Sequence, residues 1–193
     1  MDKLSYSLGV NISAGLRQQG FEISDYESFT QGLKDAFDSK IKIESAELND
    51  ILNKEYERVQ SKSFEKVITK NEEYLSENAK RDGVVVLESG LQYEVINKGD
   101  GAIPKLSDTV TTHYHGTLPD GKVFDSSVDR GQPASFPVSG VIKGWTEALQ
   151  LMNIGSKYKL FVPSDLAYGA QGAGNDIGPH QALVFEVELL EIK

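Results

Sequence analysis

His113 and His115 stand two residues apart in the segment TVTTHYHGTL, with Tyr114 between them. On a β-strand both imidazoles would project from one face, which is one way to begin a divalent-metal site. Such a site needs a third protein ligand, and the only other histidine, His180, lies far along the chain in a loop. No metal is assigned to the pair, whose default surroundings are neighbouring side chains and solvent. The opposite face carries Thr112, Tyr114 and Gly116, so what else joins that face decides what the segment does. The chain has no cysteine. That excludes disulfides, thiolate zinc sites and cysteine nucleophiles together, and no Ser-His-Asp grouping is apparent.

The elements that must position these residues follow from composition and period. With 193 residues, 39% of them apolar, the chain can form one large domain or two small ones. The formal charge of -9 is shared by both halves without a basic tract, which argues against nucleic acid or an anionic membrane as partner. The opening MDKLSYSLGV has neither a basic n-region nor an uninterrupted apolar run, and nothing approaches the ~18 apolar residues of a membrane span. The expectation is a soluble, cytoplasmic protein, or a periplasmic one if a signal segment belongs in front of this sequence.

The sequence changes character near Gly83. Leu4, Leu8, Ile12 and Leu16 recur every fourth residue and predict a first helix ending at Gly20. Ser24-Asp25-Tyr26-Glu27 reads as a capping box, followed by Tyr26, Phe29, Leu33, Ala36 and Phe37 on one face of a second helix. From Glu44 to about Arg81 there is no glycine or proline, and scattered apolar residues ride on a charged background. A helix so long and polar usually bridges domains or pairs with another helix. Two short amphipathic helices make a poor core alone, so a second copy of the chain, meeting the first through residues 1–50, is the expected cover, the alternative being a monomeric three-helix domain folded on itself.

After Gly83 the period becomes two. The segments VVVLE, LQYEVINK, TVTTHYHGTL, KYKLFVP and ALVFEVELLEIK predict strands of an antiparallel sheet, with one short helix between Gly144 and Met152. In the last strand Leu183, Phe185, Val187 and Leu189 face inward, and Glu186 and Glu188 face water. The fold class is α+β, with a helical domain over residues 1–43, a linking helix over 44–83 and a sheet domain over 84–193.

Large side chains cluster beside turns instead of inside clean strands, and GKVFDSS, VIKGWTEAL, VPSDLAYG and ALVFEVELL follow one another in order. In these motifs residues 84–193 resemble the FKBP-type peptidyl-prolyl cis-trans isomerases. The helical first half resembles, in organisation, the dimerising part of the bacterial macrophage infectivity potentiator subgroup. The resemblance implies a five- or six-stranded antiparallel half-barrel wrapped on the short helix, with an apolar pocket between them. It assigns catalytic positions to Asp125, Tyr168, Trp145, Phe185 and Tyr114. It assigns substrate-binding positions to Phe124, Phe136, Val141, Ile142, Ile177 and Arg130. On that reading Tyr114 belongs to the pocket face and the histidines to the other. Ala134 stands where many relatives carry an aromatic residue, and the loop GAQGAGNDIGPH is rich in glycine, with Asp176 and Gly178 beside Ile177.

The activity so implied is prolyl isomerisation without a cofactor, metal or covalent intermediate. A homodimer would hold proline-containing polypeptides in a chaperone-like way, and macrolides would be inhibitors. Trp145 would be the floor under the proline ring. The Tyr168 hydroxyl and the Ile142 N–H could bind substrate carbonyls. Asp125 could orient Tyr114 and Arg130, or contact the rotating carbonyl. The alternative is a module that binds proline segments without turning them over.

Overall fold

The protein is described over residues 1–193 by a computed structural model. Helix α1 (Lys3–Gln18) begins behind Asp2, whose carboxylate accepts the Ser5 N–H at 2.6 Å. Just past its end Gly20 has a φ of +86°, and a Cβ there would lie 2.7 Å from Val59 Cγ1. Glycine thus supplies both the left-handed turn and the close approach. Helix α2 (Tyr26–Phe37) is capped by Asp25, which accepts the Glu27 and Ser28 N–H groups and the Ser28 hydroxyl. The cap is therefore Asp25, where the capping-box spacing predicts Ser24: a carboxylate satisfies more orphan donors than a hydroxyl and complements the positive helix end. Helix α3 (Ser45–Asn78) runs unbroken for 34 residues, about 51 Å at 1.5 Å per residue.

The chain divides into two compact units, Met1–Ser63 and Phe64–Lys193. The division falls inside α3, because the last turns of that helix pack on the sheet. In the first unit Phe21 meets Tyr56 edge-on at 4.8 Å, and a groove of about 560 Å³ runs between Tyr6, Val10, Tyr26, Phe29 and Leu33. No residue before Asn71 is buried. Leu8 stays 54% exposed and Phe37 89%, so much of the apolar stripes of α1 and α2 is uncovered, while Leu16, Phe29 and Leu33 are half-buried.

The second unit is built on a sheet of seven antiparallel strands. They are β1 (Val84–Val86), β2 (Gln92–Asn97), β3 (Thr109–Thr117), β4 (Val123–Ser126), β5 (Ala134–Pro137), β6 (Lys157–Val162) and β7 (Leu183–Ile192). Their spatial order is β1-β2-β6-β7-β3-β4, with β5 beside the first half of β3. Seven strands replace the five or six expected, since β4 and β5 are too short and too close to turn residues to show a period. Helix α4 (Lys143–Leu149) crosses one face and buries Trp145, Ala148 and Leu149 against Val110, Leu160, Leu183, Val187 and Leu189. A Cβ on Gly144 would lie 2.6 Å from Val162 Cγ1, so glycine lets the helix lie close to the sheet.

The other face is covered at β2 and β6 by the end of α3. Phe161 is buried there under Tyr74, with the Arg81 guanidinium 5.7 Å from its ring. The two buried residues of α3 are asparagines. Asn78 donates to Gln92 Oε1 at 2.8 Å, Gln92 returns a bond to the Leu75 carbonyl at 2.9 Å, and Asn71 donates to the His180 carbonyl at 2.8 Å. Buried amides need such partners, and here the partners fix the helix against the sheet. No helix in the chain is long and apolar enough to cross a membrane.

Candidate functional site

Strand β3 alternates strictly. Val110, Thr112, Tyr114 and Gly116 are buried, while Thr111, His113, His115 and Thr117 are half-buried on the other face. The two histidines do not share a ligand position: His113 Nδ1 lies 3.1 Å from the Ser127 hydroxyl and His115 Nδ1 lies 3.0 Å from that of Ser126. No three His, Cys, Asp or Glu side chains converge as a metal site would require.

Tyr114 opens onto a cavity of about 450 Å³ beside the N-terminus of α4. Trp145, 4% exposed, is its floor. Tyr114, Phe136 and Phe185 meet the indole edge-on, with ring centres 5.4, 5.9 and 5.3 Å away. Edge-to-face packing of this kind fixes ring orientation as well as burying area. Phe124 packs edge-on against Phe185 at 5.4 Å. That contact depends on Gly116, where a Cβ would sit 2.7 Å from Phe124 and 3.0 Å from Phe185. Val141 and Ile142 close the side next to α4. The Ile142 carbonyl accepts the Trp145 and Thr146 N–H groups at 3.0 Å each, while its own N–H has no backbone partner in the chain.

The polar rim is one connected group. Tyr114 donates its hydroxyl proton to Asp125 Oδ2 at 2.5 Å, Arg130 pairs with Asp125 Oδ1, and the other end of the guanidinium reaches the Tyr114 oxygen at 2.8 Å. The Arg130 carbon also lies 5.6 Å from the Tyr114 ring centre. Burial pushes the Asp125 carboxyl up, but the bonds from Tyr114 and Arg130 and the guanidinium charge outweigh it and hold the group below the ordinary carboxylate value. Burial, helped by the bond to Asp125, raises the Tyr114 phenol. Around neutral pH the rim therefore carries a carboxylate, a guanidinium and an un-ionised phenol. Tyr168, 41% exposed, also lines the cavity.

Of the expected site residues, Tyr114, Phe124, Asp125, Phe136, Val141, Ile142, Trp145, Tyr168 and Phe185 line this one cavity. Arg130 stands outside the lining and acts on it through Asp125 and Tyr114. Ile177 is also outside the lining: it is buried in the core, its backbone paired both ways with Ala173. Gly140 lines the cavity and is not among the expected residues. A residue without a side chain leaves no chemical signal, though its place before Val141-Ile142 marks the turn into α4.

Residues 101–190 match the family described as FKBP-type peptidyl-prolyl cis-trans isomerase, and residues 1–95 match the domain amino terminal to FKBP-type peptidyl-prolyl isomerase. The FKBP-type 22 kDa peptidyl-prolyl cis-trans isomerase of Escherichia coli K12 is 47% identical over 193 residues, covering 97% of this chain and 93% of that protein. Outer membrane protein MIP of Legionella longbeachae is 43% identical over 200 residues, covering 100% and 85%. The crystal structure of FkpA from Escherichia coli superposes with a TM-score of 0.74 at 42% identity, covering 98% of this chain and 93% of that one.

Proposed function

The chain belongs to the FKBP-type peptidyl-prolyl cis-trans isomerases, and from that premise we propose that the cavity over Trp145 is where the prolyl bond turns. The barrier to that rotation, about 18–20 kcal/mol, comes from the double-bond character of the amide, so no covalent step is required. A catalyst need only favour the twisted amide over both planar forms. The planar amide is the more dipolar and loses more on leaving water, so an aromatic cavity favours the twisted state. The observation that carries this reading is the floor and walls of Trp145, Phe136, Phe185 and Tyr114, with polar groups confined to the rim. Isomerisation of a proline tetrapeptide by the native chain and by Trp145→Ala tests it; equal rates would remove the site from the cavity.

The Tyr168 hydroxyl and the Ile142 N–H are the groups we propose for the carbonyls flanking the proline. Both Asp125 oxygens are already engaged, by Tyr114 and by Arg130, which supports an orienting role over direct contact with the rotating carbonyl. The pH dependence follows. Asp125 has a depressed pKa, so its contribution is complete above the ordinary carboxylate range and lost only as pH falls through the lowered value. The activity profile on a peptide is expected to be flat from about pH 5 to 9 and to fall only in stronger acid. A midpoint well above the carboxylate range would count against Asp125 as the group responsible. Added macrolide should change the Trp145 emission by stacking on the indole; an unchanged spectrum at saturation would count against the floor assignment.

For the whole chain we propose a homodimer through residues 1–50, in which residues 1–43 dimerise, 44–83 link and 84–193 isomerise. Its support is the absence of any buried residue before Asn71: a 63-residue unit without a core gains too little by folding alone. Proline-containing polypeptides would be the substrates, held by two tethered pockets in a chaperone-like way. The cytoplasm is the compartment proposed, with the periplasm the alternative, and cell fractionation distinguishes them.

A further inference from the structure

Two contacts join α3 to the rim loop that follows Tyr168, and a third closes that loop. Asn71, 7% exposed, donates its amide proton to the His180 carbonyl at 2.8 Å across 109 residues of sequence. Phe64, two turns earlier on the same helix, sets its ring 5.5 Å from the His180 imidazole. The His180 N–H in turn donates to the Gly169 carbonyl at 2.8 Å. That bond closes the base of the loop from Gly169 to His180, and Gly169 directly follows Tyr168.

The backbone at His180 lies in a region that few residues other than glycine hold. Its φ is +57°, in the left-handed region, and only Ser39 shares this among the residues that are not glycine. A conformation of that kind persists when its surroundings over-determine it. Here the N–H is held by Gly169, the carbonyl by Asn71 and the ring by Phe64. The helix is itself fixed, since Asn78, Gln92 and Leu75 tie its end to β2. Within the loop, Ala173 and Ile177 exchange both backbone bonds, and Gly172 passes so close that a Cβ would lie 2.3 Å from the Ile177 carbonyl. The loop is thus closed at its base, next to Tyr168, and is held farther out by Ile177 in the core and by Lys122 on Asp176 at 2.8 Å.

We infer that Asn71 is a positioning residue for the isomerase reaction: by locking His180 to α3 it fixes the Gly169–His180 loop base and holds Tyr168 at the cavity rim. The linking helix then belongs to the machinery of the site and is more than a spacer. The inference rests on the reading of Tyr168 as a substrate-binding group, and the experiment separates the two.

Peptide kcat/KM is measured on the full chain for the native protein, Asn71→Leu, Tyr168→Phe and the double variant. Leucine keeps the volume and removes the donor. Asn71→Leu is expected to lower kcat/KM about fivefold in the native background and less than about twofold in the Tyr168→Phe background, because coupled residues fail to add. Equal losses in both backgrounds would make Asn71 merely structural, and no loss in the native background would end the inference while leaving Tyr168 in place. A Tyr168→Phe chain as active as the native one would remove Tyr168 from the site and the route from Asn71 with it. Asn71→Asp supplies a readout that does not depend on the leucine variant folding. Its carboxylate cannot donate to the His180 carbonyl, but its protonated form can. Its activity should start low at neutral pH and rise toward native as the buried carboxyl takes up a proton, and a flat profile would overturn the assignment.

Discussion

A chain beginning at Phe64 is expected to be monomeric, to isomerise tetrapeptides as fast as the whole protein, and to catalyse proline-limited refolding of a protein about a hundredfold less well. The first two results follow from where the cavity lies, since every lining residue falls between Tyr114 and Phe185. The third follows from the proposed tethering: two pockets joined through an N-terminal dimer would hold an unfolded chain at high local concentration, and that advantage would vanish when the join is removed. Light scattering on both chains, with peptide and refolding assays side by side, checks all three. A monomeric full-length protein, or a fragment that refolds proteins at the native rate, would end the proposal of a functional dimer. The cut matters. Starting at Val84, where the change of sequence character places the domain boundary, uncovers Phe161 and removes Asn71 and Asn78. Exposing that ring alone costs roughly 2 kcal/mol. The shorter fragment should melt below the longer one and share the activity loss of Asn71→Leu.

Replacing Asp125 by alanine should lower peptide kcat/KM by about ten- to a hundredfold, the range for removing a hydrogen-bonded charged group. The loss has a definite route. Without the carboxylate, Arg130 and the Tyr114 hydroxyl lose their common partner and keep only each other, so the polar rim is no longer fixed although the ring stays packed on Trp145. Stability should change little, because the Asp125 side chain is 43% exposed and such pairs are screened. The Asp125→Asn variant keeps an amide oxygen that can accept the tyrosine proton, and it should retain intermediate activity. Parallel loss of melting temperature and activity would reassign Asp125 to the scaffold.

How much of this can be read in advance depends on how local each signal is. Strands β3 and β7 declare themselves because a half-buried strand repeats every two residues, and Tyr114 and Phe185 come with them. The stripes of α1 and α2 are equally plain, down to the lack of anything to cover them. Strands β4 and β5 escape because four residues hold only two alternations, and Asp120-Gly121 and Pro133 beside them speak more loudly for turns. The docking of α3 on the sheet is invisible for another reason. It is made by Asn71 and Asn78, which read as surface residues, and by Phe161, whose burial on the far face looks like part of an apolar run. Motif position puts Ile177 in the cavity, but its backbone pairing with Ala173 turns it into the core. No spacing rule links Asn71 to a carbonyl 109 residues away.

The order of strands has a consequence for how the protein is made. Strand β7, the latest in sequence, lies between β6 and β3 near the middle of the sheet and pairs with both along most of its length. While the ribosome is still delivering residues 183–192, β3 and β6 have no common neighbour, and Trp145 and Leu149 have no Phe185, Val187 or Leu189 to pack against. Residues 1–63 precede the sheet in synthesis and, in the proposed dimer, could meet another nascent copy before the sheet unit has β7, without which β3 and β6 lack their common neighbour. On the proposal of a homodimer, its assembly and the completion of the pocket would be separated in time during synthesis. If the proposed dimer is right, a message truncated shortly before codon 183 would yield a product able to associate and unable to catalyse.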